Sequence, residues 1–89
     1  MTKVEFKAAI SDGLERSRVY MVVKIETEGN PAPEVIVNPI ENVPEKMAYY
    51  EKAYNEDMEL ITAKSAGKSI RIIDAIMTNN LNDLNWFIY

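Results

Sequence analysis

Apolar residues first recur at four-residue intervals, at Phe6, Ile10 and Leu14 with Ala9 between them, which is the period of one helix face. Thr2 precedes this stripe and Glu5 follows three residues later. That is the capping-box spacing, in which each side chain satisfies the other residue's free backbone N–H. A helix is predicted to begin there and to fray or end near Gly13. The period then changes to two. From Val19 to Thr27, one face carries Val19, Met21, Val23 and Ile25 and the other Tyr20, Val22, Lys24 and Glu26, the alternation of a β-strand. Glu28-Gly29-Asn30-Pro31-Ala32-Pro33 reads as a turn or short loop, because Gly-Asn tolerates positive φ and proline donates no ladder hydrogen bond. Glu34 to Asn38 is predicted to pair back as a hairpin strand, ended by Pro39.

Asn42 and Glu45 repeat the capping spacing, with Pro44 in a first turn where N–H groups lack helical partners anyway. The helix predicted here runs through about Asp57. Val43, Met47, Tyr50, Tyr54 and Met58 share one sector, while Glu45, Tyr49, Lys52 and Glu56 lie opposite, so Tyr49 is predicted to face solvent. From Glu59 to Thr78 neither period fits cleanly. Ile70, Ile72 and Ile73 are β-branched and Gly67 suits a turn, which favours strands on either side of Ser65-Ala66-Gly67-Lys68. Asn80 and Asp83 are placed to start a short terminal helix carrying Leu81, Leu84, Trp86, Phe87 and Ile88. The expected fold class is α+β, in the order α-β-β-α-β-β-α. A small antiparallel sheet of three or four strands would pack with two or three helices, as one domain over residues 1–89.

Composition narrows the chemistry more than the fold. The 89 residues contain no cysteine and no histidine. Disulfides, thiolate nucleophiles and Ser-His or Cys-His pairs are therefore excluded, and any metal would need oxygen ligands. The expectation is a protein that is not an enzyme and that carries no cofactor. The longest apolar run, Val19 to Val23, is far shorter than a membrane span. The opening Met-Thr-Lys-Val-Glu-Phe-Lys lacks a secretory stretch, and absent cysteine fits a reducing compartment, so the expected location is cytoplasmic.

Charge is unevenly distributed. Between Glu26 and Glu59 stand nine acidic residues and two basic ones, a net of −7, against +2 before and +1 after, which sums to the whole-chain −4. Such a field repels a nucleic-acid backbone and speeds encounter with a basic protein surface. Direct nucleic-acid binding is not expected. Tyr49, Tyr50, Tyr54, Trp86, Phe87 and Tyr89 add aromatic area of the kind favoured at interfaces, and an exposed apolar C-terminus would favour a partner or a homo-oligomer.

Two motif-like features carry less. Gly67-Lys68-Ser69 has the end of a phosphate-binding P-loop, but Thr62 stands where that motif has its first glycine and a strand is predicted after Ser69. An ordinary turn is expected. Glu56, Asp57 and Glu59 could hold a hard cation, yet the EF-hand spacing and its glycine are missing. An alternative function would use Lys64, Lys68 and Arg71 with nearby aromatics to hold a nucleotide-type small molecule at a subunit interface.

The stretch Glu45-Lys46-Met47-Ala48-Tyr49-Tyr50-Glu51-Lys52-Ala53-Tyr54-Asn55-Glu56-Asp57-Met58-Glu59-Leu60 resembles small uncharacterised proteins of phages and mobile elements of Gram-positive bacteria. The closing Asn80-Leu81-Asn82-Asp83-Leu84-Asn85-Trp86-Phe87 is similar to them as well. The resemblance implies a setting in which small acidic proteins act as stoichiometric inhibitors of host enzymes or defence systems, anti-CRISPR proteins among them. The expected partner is then a host or defence protein with a basic surface, met in the host cytoplasm. The residues expected to touch it are Glu41, Glu45, Tyr49, Lys52, Glu56, Asp57, Glu59, Trp86 and Tyr89.

Overall fold

The alternating segment at Val19 to Thr27 becomes the centre of the molecule. In the computed structural model, which describes residues 1–88, β1 (Tyr20–Thr27) lies between β2 (Glu34–Pro39) and β3 (Ile70–Thr78), both antiparallel to it. Helix α1 (Lys3–Glu15) and helix α2 (Val43–Ala53) cover the face that carries Met21, Val23 and Ile25, and Phe6, Ile10, Val43 and Tyr50 close the core there. The opposite face carries Val22 and Lys24 and is roofed in part by α4 (Leu84–Ile88), whose Phe87 is buried. Val22 is fully buried on that second face. The fold is α+β, as the patterning predicts.

Both ends of α1 follow local rules. The Thr2 hydroxyl accepts from the Glu5 N–H at 3.2 Å and the Glu5 carboxylate accepts from the Thr2 N–H at 2.8 Å, completing the capping box. These bonds from Thr2 hold the Glu5 carboxyl below its ordinary pKa. At the other end Arg18 N–H donates to the Gly13 carbonyl and Ser17 N–H to the Leu14 carbonyl, a Schellman closure with Ser17 at φ +57°. Gly13 has a reason beyond the helix end. A Cβ placed there would overlap Cβ and Cγ of Met77 on β3, so the glycine lets α1 lie against the sheet. Gly13→Ala, worth about 1 kcal/mol of added stability on an open helix surface, should here cost about 1–3 kcal/mol through overpacking. Thermal unfolding checks the sign, and a raised midpoint would contradict the close approach.

Three expectations are corrected. First, α2 stops at Ala53 rather than near Asp57, because Tyr54 turns extended and the Asn55 side chain takes over the chain direction. Asn55 Oδ1 accepts from the N–H groups of Asp57 and Glu59 at 3.0 and 2.9 Å, which offers the backbone an alternative to helix. Second, Asn42 makes no side-chain cap, since its backbone is already helical (φ −93°, ψ −9°) at the end of a 3-10 turn over Ile40–Asn42. Third, no strand forms over Glu59 to Lys64. Leu60 bridges to Tyr54 and Glu59 to Arg71, after which the chain coils into α3 (Ile61–Ser65).

Residue Gly67, at φ +77°, closes α3 with a second Schellman pair, Lys68 N–H to the Ala63 carbonyl and Gly67 N–H to the Lys64 carbonyl. Gly67-Lys68-Ser69 is thus a helix stop before β3. Within β3 the register slips opposite Lys24 and Ile25, leaving Ile73 as an extra residue. The bulge turns Ile72 and Ala75, three apart, toward the same core.

The open ends of α1 and α2 meet. Lys3 is buried, and its ammonium donates to the carbonyls of Glu51 and Tyr54 at 2.9 and 2.6 Å. The Lys3 N–H donates to Glu56 O at 2.8 Å, and Lys7 pairs with Glu51 at 2.6 Å on the surface. The bond from Lys7 holds the Glu51 carboxyl below its ordinary value.

Candidate functional site

The residues expected to contact a partner do not form one surface. Glu41 lies in the 3-10 turn and Glu45 in the first turn of α2, both exposed, at one end of that helix. Lys52 is exposed in its last turn, and Glu56 and Asp57 are exposed in the loop beyond its other end, so Glu56 is not on the helix face predicted for it. Eleven residues of helix separate the two ends by about 16 Å, well over a Debye length in physiological salt. Glu59 is half-buried, and its carboxylate accepts from Lys64 at 2.8 Å and from Asn55 at 3.1 Å, which lowers its pKa and raises that of Lys64. Trp86 sits on α4, across the sheet from α2. Tyr89 lies outside the described residues.

Acidic residues of the middle segment are also partly neutralised from within. Glu26 pairs with Arg71, Glu51 with Lys7 and Glu59 with Lys64. Glu28 accepts from the Ser69 N–H at 3.1 Å beside the β1–β2 turn. The exposed carboxylates that remain there are divided between the two ends of α2, Glu41 and Glu45 at one and Glu56 and Asp57 beyond the other. The same pairs occupy two of the three cations of the small-molecule alternative, Lys64 and Arg71, and Lys68 shares a groove with Glu28. Among the described residues, no group of three or more acidic side chains is placed to hold a metal ion. Among those residues no helix is long and apolar enough to cross a membrane.

Tyr49 is half-exposed, as the helical sector predicts, and it is the outer member of an aromatic chain. Its ring meets Tyr50 and Tyr54 edge to face at 5.5 and 6.2 Å, and Tyr50 meets Phe6 at 5.3 Å. Burial, with the neighbouring Tyr49 and Tyr50, pushes the Tyr54 phenol up to about 12, and burial raises Tyr50 too. A group whose folded pKa lies above its unfolded value near 10 keeps the native state protonated longest. Its stabilisation is complete below pH 10 and drains away between pH 10 and about 12, up to about 2–3 kcal/mol for a two-unit shift. Denaturant titrations at pH 8, 10 and 11.5 should show this fall, and Tyr54→Phe should flatten it. An unchanged slope would place the alkaline transition elsewhere.

On the other side of the sheet a different arrangement appears. Trp86, with 86% of its surface exposed, stands at an open groove of about 510 Å³ lined by Lys24, Asp74, Ile76, Asp83, Trp86 and Phe87. The walls are set by local bonding. Asn80 caps the 3-10 turn over Leu81–Asp83 by accepting from Asn82 N–H at 2.9 Å, and the Thr78 hydroxyl donates to Asp83 at 2.6 Å. Lys24 donates to the Phe87 carbonyl at 2.8 Å and ties α4 to β1. Sequence reading singled out Trp86 but missed Lys24, Asp74 and Asp83. The signal for Lys24 and Asp74 was a polar residue on the outward face of each strand, and only their pairing brings them together.

No protein-family model, curated protein or solved structure matches this chain.

Proposed function

We propose that the protein acts by stoichiometric binding of another protein, with Trp86 and the groove beside it as the principal contact. The observation that carries this is the near-complete exposure of a tryptophan on the short helix α4 next to charged groups. Burying a large aromatic ring is among the strongest sources of affinity at an interface, and tryptophan in water gains nothing for the free fold. The net charge of −4 and the exposed carboxylates at Glu41, Glu45, Glu56 and Asp57 favour encounter with a basic surface. The resemblance to small phage and mobile-element proteins supplies the setting. The partner in this reading is a nucleic-acid-handling or defence protein of a Gram-positive host, inhibited in the cytoplasm in the manner of an anti-CRISPR.

Affinity capture from a Gram-positive lysate, with the native chain and Trp86→Ala side by side, tests it. The native chain should retain such a protein at equal stoichiometry. Trp86→Ala, which unfolds nothing because the ring is exposed, should lower retention at least about tenfold, the equivalent of 1.4 kcal/mol. High salt should weaken retention as well. Retention equal for both chains and indifferent to salt would overturn the reading.

A further inference from the structure

The Trp86 groove holds charges that its own residues leave uncompensated. Cross-strand register sets Lys24 directly opposite Asp74, where the two would ordinarily pair. They do not form an ion pair. The Lys24 ammonium is drawn to the Phe87 carbonyl at 2.8 Å and stands 5.7 Å from the centre of the Phe87 ring. Asp74 is exposed, and its only side-chain hydrogen bond among the described residues is from the N–H of Ala75, at 2.8 Å. Asp83 accepts the Thr78 hydroxyl through Oδ2, and its Oδ1 has no hydrogen-bond partner among the described residues. The single tryptophan of the chain stands at the same groove, exposed.

We infer that this groove seats an arginine side chain of the partner protein, its guanidinium stacked on the Trp86 indole and hydrogen-bonded to the carboxylates of Asp74 and Asp83. The inference rests on the protein-binding reading and gives its contact a chemistry. Two carboxylates against one tethered ammonium leave the groove net negative, which fits a cation and rejects an anion. Tryptophan is the strongest cation–π acceptor among the side chains. A planar guanidinium can stack on the ring and bond a carboxylate through two N–H groups at once, which a compact ammonium cannot. A metal ion is a poorer fit, because among the described residues two carboxylates line the groove and one already accepts a hydroxyl.

The lone tryptophan makes the test direct. The full chain is titrated with acetyl-Gly-Arg-Gly-amide, its lysine counterpart and its citrulline counterpart, while Trp86 fluorescence and the indole N–H resonance are followed. The arginine peptide should give a saturable change with a Kd on the order of millimolar, as one isolated contact allows. The lysine peptide should bind more weakly, and the uncharged citrulline peptide should give no saturable change. Asp74→Asn should weaken arginine binding at least about threefold, the scale of an exposed charge contact. Among the described residues the Asp74 side chain bonds only its neighbour's N–H, so unchanged far-UV circular dichroism should accompany that loss. Equal binding of the citrulline peptide, or an Asp74→Asn variant that binds arginine as the native chain does, overturns the inference. Capture that still depends on Trp86 while the arginine peptide fails to bind overturns the arginine seat alone. Capture that ignores Trp86 overturns this groove as the contact, and no stoichiometric capture by the native chain overturns the protein-binding reading itself.

Discussion

Lys3→Met should lower the unfolding free energy by about 2–4 kcal/mol, a large share of what a domain of this size has. The substitution keeps an apolar stem in a buried position but removes the donor to the Glu51 and Tyr54 carbonyls. Glu51 O would ordinarily accept from Asn55 N–H in a continuing helix, yet that N–H goes to Glu59 O instead. Without Lys3 the carbonyl is left at a closed helix end, and the negative end of the α2 dipole loses its cation. Lys7→Met is the contrast. Its pair with Glu51 joins two half-exposed side chains, a geometry worth less than about 1 kcal/mol. Urea unfolding of both variants separates the cases. A midpoint for Lys3→Met that falls no further than that of Lys7→Met would show that the buried ammonium does not hold the two helices together.

The second large effect is expected at Met58. Its side chain has no exposed surface, although it stands in a loop rather than on a regular element. Around it, Met58 N–H donates to the Asn55 carbonyl at 3.0 Å, and Ile72 N–H donates to the Met58 carbonyl at 2.9 Å, which fastens the loop to β3. Met58→Ala should cost about 2–5 kcal/mol through lost burial and the cavity left behind. Met58→Leu, which keeps the volume, should cost less than about 1.5 kcal/mol. Met58→Gly separates backbone from side chain. Glycine suits the left-handed φ of +57°, so this variant should lie close to Met58→Ala rather than below it by the usual glycine penalty. A loss under 1 kcal/mol for Met58→Ala would show that the loop opens without disturbing the core.

Met58 also marks how far the pattern along the chain can be read. The helical sector Val43, Met47, Tyr50, Tyr54, Met58 named residues that are buried or half-buried, but the last two reach the core from outside the helix. Apolar residues are recruited to a core by their transfer free energy whatever backbone carries them, so burial was legible where conformation was not. The helix ends early because an asparagine side chain competes with the helical hydrogen bonds, a local event that periodicity does not register. The isoleucines of β3 fitted no period because a bulge resets the alternation between Ile72 and Ala75. Bulges arise from pairing with another strand, and so from residues distant in sequence.

By itself the sequence determined the start of α1, the hairpin of β1 and β2, the strand character of Ile70 to Thr78, the short terminal helix and the α+β class. Each of these rests on contacts between near neighbours, on a period within one segment or, for Ile70 to Thr78, on its β-branched residues. Tertiary structure alone decided that Lys3 is an interior cap, that Gly13 is a contact surface for Met77, and that the acidic segment is divided between two ends and partly paired. It also decided that Trp86 shares a groove with Lys24 and Asp74, which lie 62 and 12 residues from it along the chain. A groove is made by the relative placement of elements, and that placement is set by how the core closes, which no stretch of chain specifies alone.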